Sequence, residues 1–218
     1  MQILWIRHGQ TAGNAQRRYV GRTDEGLTGE AKLVLQKKQK LLQDLCVKLE
    51  VQKTGEETIG QAGAFLPDLV YCSPMLRCRE TAELLFPGQA ITVQEGLQET
   101  DFGDFEYKNY EELKNEPTYQ AWIDSGGQMT VPNGESGADF RERCWRAYEC
   151  CIREAREKKA QRIAIVCHGG TIMSVLERYG RPEKSFYEWQ ISNGCGILTE
   201  TTEEGGKEYG IREIGKWE

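Results

Sequence analysis

Histidine is scarce in this chain: 218 residues contain only two, at positions 8 and 168, so any chemistry that needs imidazole must draw on them. No apolar run approaches the roughly 18 residues needed to cross a bilayer, and mean hydropathy is -0.62. Met1 leads directly into Gln2-Ile3-Leu4-Trp5-Ile6, without the basic start and small-residue cleavage site of a secretory signal. The expectation is a cytoplasmic protein with no membrane partner. The eight cysteines form no CxxC pair and no Cys/His ligand spacing, so they read as small buried hydrophobes in a reducing compartment, not as a metal site or a disulfide framework. GxxxxGKS, GxxxxGKT and a GxGxxG after a strand are also absent, which excludes the P-loop and dinucleotide readings. The net charge of -6, from 28 basic and 34 acidic residues, argues against a nucleic acid partner.

What is present alternates between strands and helices. Residues 2-6 and 162-167 are short runs of β-branched, aromatic and small apolar residues, and they lead into Arg7-His8-Gly9 and His168-Gly169-Gly170. Such runs are the mark of buried strands. Leu69-Val70-Tyr71-Cys72 and Ile91-Thr92-Val93-Gln94 predict two more, and residues 196-199 and 208-212 predict a terminal hairpin closed by Glu204-Gly205-Gly206. A helix capped by Thr28 is predicted to run to about Glu50, with Ala31, Val34, Leu41, Leu42, Leu45 and Leu49 near one face. Ser73 is the expected cap of a second helix with Pro74 at its first position, Ser136 and Asp139 open a third, and Gly169-Gly170-Thr171 a fourth. Residues 51-64, polar and rich in Gly and Glu, read as an exposed excursion. The pattern predicts one domain over residues 1-218, a three-layer α/β/α fold with a mainly parallel central sheet and an antiparallel edge.

In an open parallel sheet, ligands bind beyond the carboxyl ends of the strands. His8 and His168 both stand at such ends and are candidates to face one another. Arg7 precedes His8, and Gly9-Gln10-Thr11-Ala12-Gly13-Asn14 follows; a glycine-rich backbone approaches an anion closely, and arginine offers a fork of donors that matches phosphate oxygens.

Arg7-His8-Gly9-x-Thr11-x-x-Asn14 resembles the signature of the histidine phosphatase superfamily, also called phosphoglycerate mutase-like. Tyr19-x-Gly21-x-x-Asp24-x-x-Leu27-Thr28, Ser73-Pro74-x-x-Arg77-x-x-x-Thr81-Ala82, Leu97-x-Glu99-x-x-x-Gly103, Gly134-Glu135-Ser136, His168-Gly169-Gly170 and Asn193-Gly194 extend the resemblance in order along the chain. It implies a phosphoglycerate mutase-like fold and a metal-independent, cofactor-free phosphomonoesterase that works through a phosphohistidine. His8 would be the nucleophile, with Arg7, Arg77 and His168 around the transferring phosphoryl group. Glu99 would be the general acid, with Asp101 two residues away as the alternative. Thr11, Asn14, Gly21 and the backbone at Gly169 would make secondary contacts to the substrate. None of the five central residues is missing, which disfavours a non-catalytic binding module of the same fold.

Hydrolase and mutase members share such a site, and the region that follows Arg77 separates them. From Glu80 to Phe140 there is no arginine, and 13 acidic residues accompany only Lys108 and Lys114, a net of -11 that leaves +5 for the rest of the chain. Residues 100-135 are expected to cover the site. The mutase branch has an Arg pair and a Lys in this region and characteristically has Asn at the position of Gly170; the Arg pair and that Asn are lacking here. Tyr107, Tyr110, Tyr119, Trp122 and Met129 would give the cover an aromatic wall, and Pro132-Asn133-Gly134-Glu135-Ser136 resembles the α-ribazole phosphatase branch and broad-specificity phosphatases. The expected partner is a small-molecule phosphate monoester with a neutral or aromatic leaving group, with phosphoglycerate mutase as the alternative.

Overall fold

The structure is a computed structural model that describes residues 1–54, 65–204 and 207–217; side chains at 41, 43–54, 203, 204 and 207–209 lie outside that description. In chain order the elements are β1 (Gln2–Arg7), α1 (Ala12–Ala15), α2 (Gly29–Thr54), β2 (Leu69–Cys72), α3 (Leu76–Leu85), β3 (Ile91–Val93), α4 (Tyr110–Leu113), α5 (Pro117–Asp124), α6 (Gly137–Glu157), β4 (Arg162–Cys167), α7 (Gly169–Tyr179), β5 (Gly180–Arg181), β6 (Gly196–Glu204) and β7 (Lys207–Trp217). Short 3-10 turns occupy Glu95–Leu97, Gly103–Phe105 and Phe186–Trp189.

The seven strands form one sheet in the order β3-β2-β4-β1-β6-β7-β5. β1, β2, β3 and β4 are mutually parallel, and the β6–β7 hairpin joins antiparallel to β1. Successive strand residues point to opposite faces, and the buried clusters divide accordingly. Ile3, Trp5, Ile163 and Ile165 pack with α6 and α7 residues such as Cys144, Cys151 and Ile172; Leu4, Ile6, Ala164 and Val166 pack on the other face with Ala31, Leu35 and Leu42 of α2 and Cys78 and Leu85 of α3. This is a mainly parallel sheet between two helical layers, with the antiparallel strands to one side.

Thr28 caps α2, its hydroxyl accepting from the Ala31 amide at 3.1 Å, but the buried face of α2 includes Leu35 where the spacing suggested Val34, which is 43% exposed. Ala31, Leu35 and Leu42 follow the helical repeat against the sheet, and Val34 is rotated outward by one residue. The expectations at Leu41, Leu45 and Leu49, at 55-64 and at Gly205-Gly206 lie outside the described residues. Ser73 does not cap the second helix: α3 begins after Met75 without a side-chain cap. The Ser73 hydroxyl is turned toward His168 instead.

Candidate active site

The register of β1 against β4 pairs Arg7 with Cys167, so the residues that follow, His8 and His168, emerge side by side. The His8 amide donates to the Cys167 carbonyl at 3.0 Å, and the ring centroids lie 5.1 Å apart at an interplanar angle of 66°. Neighbouring β2 ends at Cys72, after which the Ser73 amide donates to Val166 O and Ser73 Oγ lies 2.8 Å from His168 Nε2. Three adjacent strand ends thus build the floor, and α3, which follows β2, carries Arg77. His8 Nδ1 faces the Gly9 carbonyl at 2.7 Å. A carbonyl only accepts, so this nitrogen holds the proton and Nε2 keeps its lone pair.

Arg77 is fully buried and donates to three backbone carbonyls, Thr23 O (2.8 Å), Gly21 O (2.8 Å) and Val20 O (3.2 Å); Arg7 donates to Ile191 O at 2.8 Å. The Nε of each arginine is buried without a hydrogen-bond partner. Unpartnered cationic donors beside two imidazoles are an arrangement an oxyanion satisfies.

Burial, followed by the charges of Arg77 and Arg7, pushes His8 well below the ordinary histidine pKa; His168 is pushed down by burial, Arg77, His8 and Arg7. Both rings are therefore neutral in the folded protein at pH values where the unfolded chain, with histidine near about 6.5, takes up protons. The unfolded state binds more protons below that value, so stability falls with pH. Between pH 7.5 and pH 5.5 the loss is on the order of 1 kcal/mol for each ring. Urea unfolding at the two pH values should show this loss in the wild type, and a His8→Gln/His168→Gln double variant should lack most of it; equal losses would mean that the rings are not held neutral.

Glu99 reaches the same floor from the loop after β3. Its Oε2 accepts from the Gly170 amide at 2.9 Å at the start of α7, and Oε1 accepts from the Thr100 amide at 3.0 Å. Asp101 is directed differently: Oδ1 accepts from the Gly103 amide at 2.9 Å and lies 3.4 Å from Arg22. A Cβ at position 170 would stand 2.3 Å from Glu99 Oε1, so glycine is what lets the carboxylate rest there. Gly170→Asn should displace Glu99 while the protein stays folded, and kcat for an alkyl phosphate should fall by about 10² or more if Glu99 is the acid. A variant with unchanged kcat and an unchanged melting curve would show that this seat for Glu99 is dispensable.

The remaining predicted contacts are placed less directly. Thr11 caps α1, its fully buried hydroxyl accepting from the Asn14 amide at 3.2 Å, and Asn14 Oδ1 accepts from the Thr11 amide and from Asn193 Nδ2. Both side chains thus brace the loop after His8. Gly21 supplies a carbonyl to Arg77, and its amide donates to Glu106 Oε1 at 2.9 Å; a Cβ there would sit 2.0 Å from Thr100 O. Gly169 lies against the Arg7 guanidinium, with room for no more than a tight Cβ contact at 3.3 Å. Thr81, whose hydroxyl accepts from the Gly9 amide at 3.0 Å, belongs to the Ser73-to-Ala82 motif, but nothing local in the sequence points to its partner.

A cavity of about 590 Å³ opens beside Arg7, Glu99, Gly169 and Gly170. Of the five residues expected as its aromatic wall only Trp122 lines it, joined by Tyr19, Phe102, Met173, Phe186 and Tyr187. Tyr119 is buried with Phe105, Leu113 and Val131, while Tyr107, Tyr110 and Met129 are exposed outside it. Arg141, one residue past the arginine-free stretch, also lines the cavity; its Nε donates to Glu177 at 3.1 Å, and its guanidinium lies 4.7 Å from the Phe186 ring centroid.

The family model described as histidine phosphatase superfamily (branch 1) matches residues 36–211. An adenosylcobalamin/alpha-ribazole phosphatase of Escherichia coli is 27% identical over 200 residues, covering 89% of this chain and 87% of that protein. A probable phosphoglycerate mutase of Erwinia tasmaniensis is 26% identical over 208 residues, 90% of this chain and 83% of its own. A crystal structure of an α-ribazole phosphatase from Shigella flexneri superimposes with a TM-score of 0.72 at 26% identity, covering 93% of this chain and 91% of that one. A structure titled as a putative alpha-ribazole-5'-P phosphatase from Escherichia coli reaches 0.78 at 22% identity, over 100% and 96% of the two chains, and shows the shared fold. Because the model spans most of its length, the chain belongs to the histidine phosphatase superfamily.

Proposed function

We propose that this protein hydrolyses a phosphomonoester through a phosphohistidine on His8, with an aromatic or nucleoside-like leaving group such as that of α-ribazole phosphate. The observation that carries the reading is His8 itself: a buried, neutral imidazole with Nδ1 tied to Gly9 O, opposite His168 and beside two guanidinium Nε donors without partners. The His8 Nε2 lone pair attacks phosphorus, the ester P–O bond breaks toward the leaving oxygen, and Glu99 donates a proton to that oxygen. Water then attacks the phosphohistidine while the Glu99 carboxylate takes its proton. The P–N electron pair returns to His8, and inorganic phosphate leaves. Arg7, Arg77 and His168 stabilise charge on the equatorial oxygens in both steps, and the two guanidinium groups supply the fixed positive charge that metal ions supply in other phosphoryl-transfer sites.

In this reading residues 100-135 cover the site, with Phe102 and Trp122 turned to the leaving group and Tyr19, Phe186 and Tyr187 completing an aromatic enclosure. The name of the Escherichia coli relative supports α-ribazole phosphate as a substrate. A cytosolic setting is part of the same proposal, in keeping with seven free thiols among the described residues. The mutase reading has a named relative in its favour, but among the described residues the cavity offers a second anionic group only Arg141, already paired with Glu177, and exposes it to Glu99 and Glu135.

A phosphate-release screen over α-ribazole phosphate, nucleoside monophosphates, sugar phosphates and phosphoglycerates tests the proposal. The highest kcat/KM is expected for an aromatic or nucleoside-like leaving group. Efficient interconversion of 3-phosphoglycerate and 2-phosphoglycerate, with negligible phosphate release from the other compounds, would overturn it.

A further inference from the structure

The segment that carries Glu99 is held by an unusual number of bonds from one side chain. Arg143, on α6, commits all three of its guanidinium nitrogens. Nη1 donates to Gly96 O (3.1 Å) and Gln98 O (3.0 Å), and Nη2 to Glu99 O (3.3 Å). The other edge of the fork meets Glu135, Nε to Oε1 at 2.9 Å and Nη2 to Oε2 at 2.7 Å. From α7, the Thr171 hydroxyl is shared between Leu97 O and Gln98 O, at 3.3 and 3.1 Å. Four successive carbonyls, 96 to 99, are therefore bonded from two helices. Gly96 allows α6 to come this close, since a Cβ there would meet the Ala147 Cβ at 2.7 Å.

A bidentate carboxylate fixes the plane of a guanidinium. Glu135 does so here, at the junction just before α6, so the backbone of Glu99 is referenced to the same helix that packs on the sheet. We propose that Arg143, oriented by Glu135, is a positioning residue for proton transfer by Glu99: it sets the distance between the Glu99 carboxyl group and the leaving oxygen and touches no substrate atom itself. This rests on the reading of Glu99 as the general acid. Displacement by about 1 Å is enough to lose on the order of 10² in rate, and a freed 96-99 loop supplies such a displacement.

The consequence depends on the leaving group. A 4-nitrophenolate departs without a proton, whereas an alkoxide requires one. Arg143→Met should lower kcat/KM for ethyl phosphate by about tenfold to a hundredfold and for 4-nitrophenyl phosphate by no more than about threefold, with Arg143→Lys in between. Glu99→Gln should show the same selectivity with larger magnitude, and adding Arg143→Met to Glu99→Gln should cause little further selective loss, since both act on one step. If Arg143→Met folds poorly, Arg143→Lys and Glu135→Gln, which weaken the fork and keep its volume, are read in the same way. Equal losses on both substrates would reduce Arg143 to a structural strut and overturn the proposal while the acid role of Glu99 stands. A Glu99→Gln variant without leaving-group selectivity would overturn the proposal together with the acid reading beneath it.

Discussion

His8→Ala should reduce phosphate release from every substrate by on the order of 10⁴-fold or more, with no acid-labile phosphoprotein trapped in a single turnover. The magnitude follows from the role: loss of a nucleophile removes the covalent route entirely, and what persists is the binding and charge stabilisation left in the pocket. The substitution should leave the fold intact. It frees the Gly9 carbonyl from a 2.7 Å hydrogen bond, at about 1–3 kcal/mol, and removes one of two neutral rings whose burial opposes folding at low pH. Activity should therefore vanish while the protein still melts cooperatively. A His168→Ala variant separates the roles, since it should still form the phosphoenzyme, only more slowly. Wild-type rates in His8→Ala would take His8 out of the mechanism, and a phosphoprotein trapped in that variant would place the nucleophile elsewhere.

The parts of this protein that local pattern encodes were legible in the sequence. Short apolar runs ending in Arg7-His8-Gly9 and Cys167-His168-Gly169 announce two buried strands, and parallel pairing in register then brings their ends together. Arg77 and Glu99 could be named only through the family's motifs, because nothing in their own neighbourhoods states that three carbonyls or the Gly170 amide will receive them. Ser73 shows the ambiguity most clearly: a serine before a proline has the chemistry of a helix cap, yet the same hydroxyl bonds an imidazole when β2 and β4 lie side by side. The wall of the aromatic cavity was not legible in the sequence for a related reason. Its wall draws on Tyr19, Phe102, Trp122 and Phe186, segments far apart in the chain, whereas Tyr119 went inward to support its own short helix. The arginine-free segment likewise ends one residue before Arg141, which lines the cavity, and three before Arg143, which bonds the Glu99 carbonyl.

Arg77→Met should lower kcat/KM by about 10³, and it should also change the stability of the folded protein through two effects of opposite sign. The rate falls because a donor to the transferring phosphoryl oxygens is lost; removal of a single such donor typically costs about 10²–10³ in rate, and here a full buried charge goes with it. The structural effect is that Val20, Gly21 and Thr23 lose the partner of their carbonyls, at about 1–3 kcal/mol for each one that water does not reach. Against this, Arg77 is the strongest charge disfavouring protonation of both imidazoles, so the variant should hold its histidines closer to the ordinary pKa and lose less stability between pH 7.5 and 5.5 than the wild type. The carbonyl loss dominates at neutral pH and the histidine gain grows as pH falls, so the stability difference between the two proteins should narrow on acidification. Orthovanadate separates a strut from a binding group: at 100 times its dissociation constant it should stabilise the wild type by about 2.7 kcal/mol and the variant scarcely at all. A variant that keeps vanadate protection, or a kcat/KM within tenfold of wild type, would leave Arg77 as a scaffold for residues 20–23 and assign the phosphoryl contact to Arg7 and His168 alone.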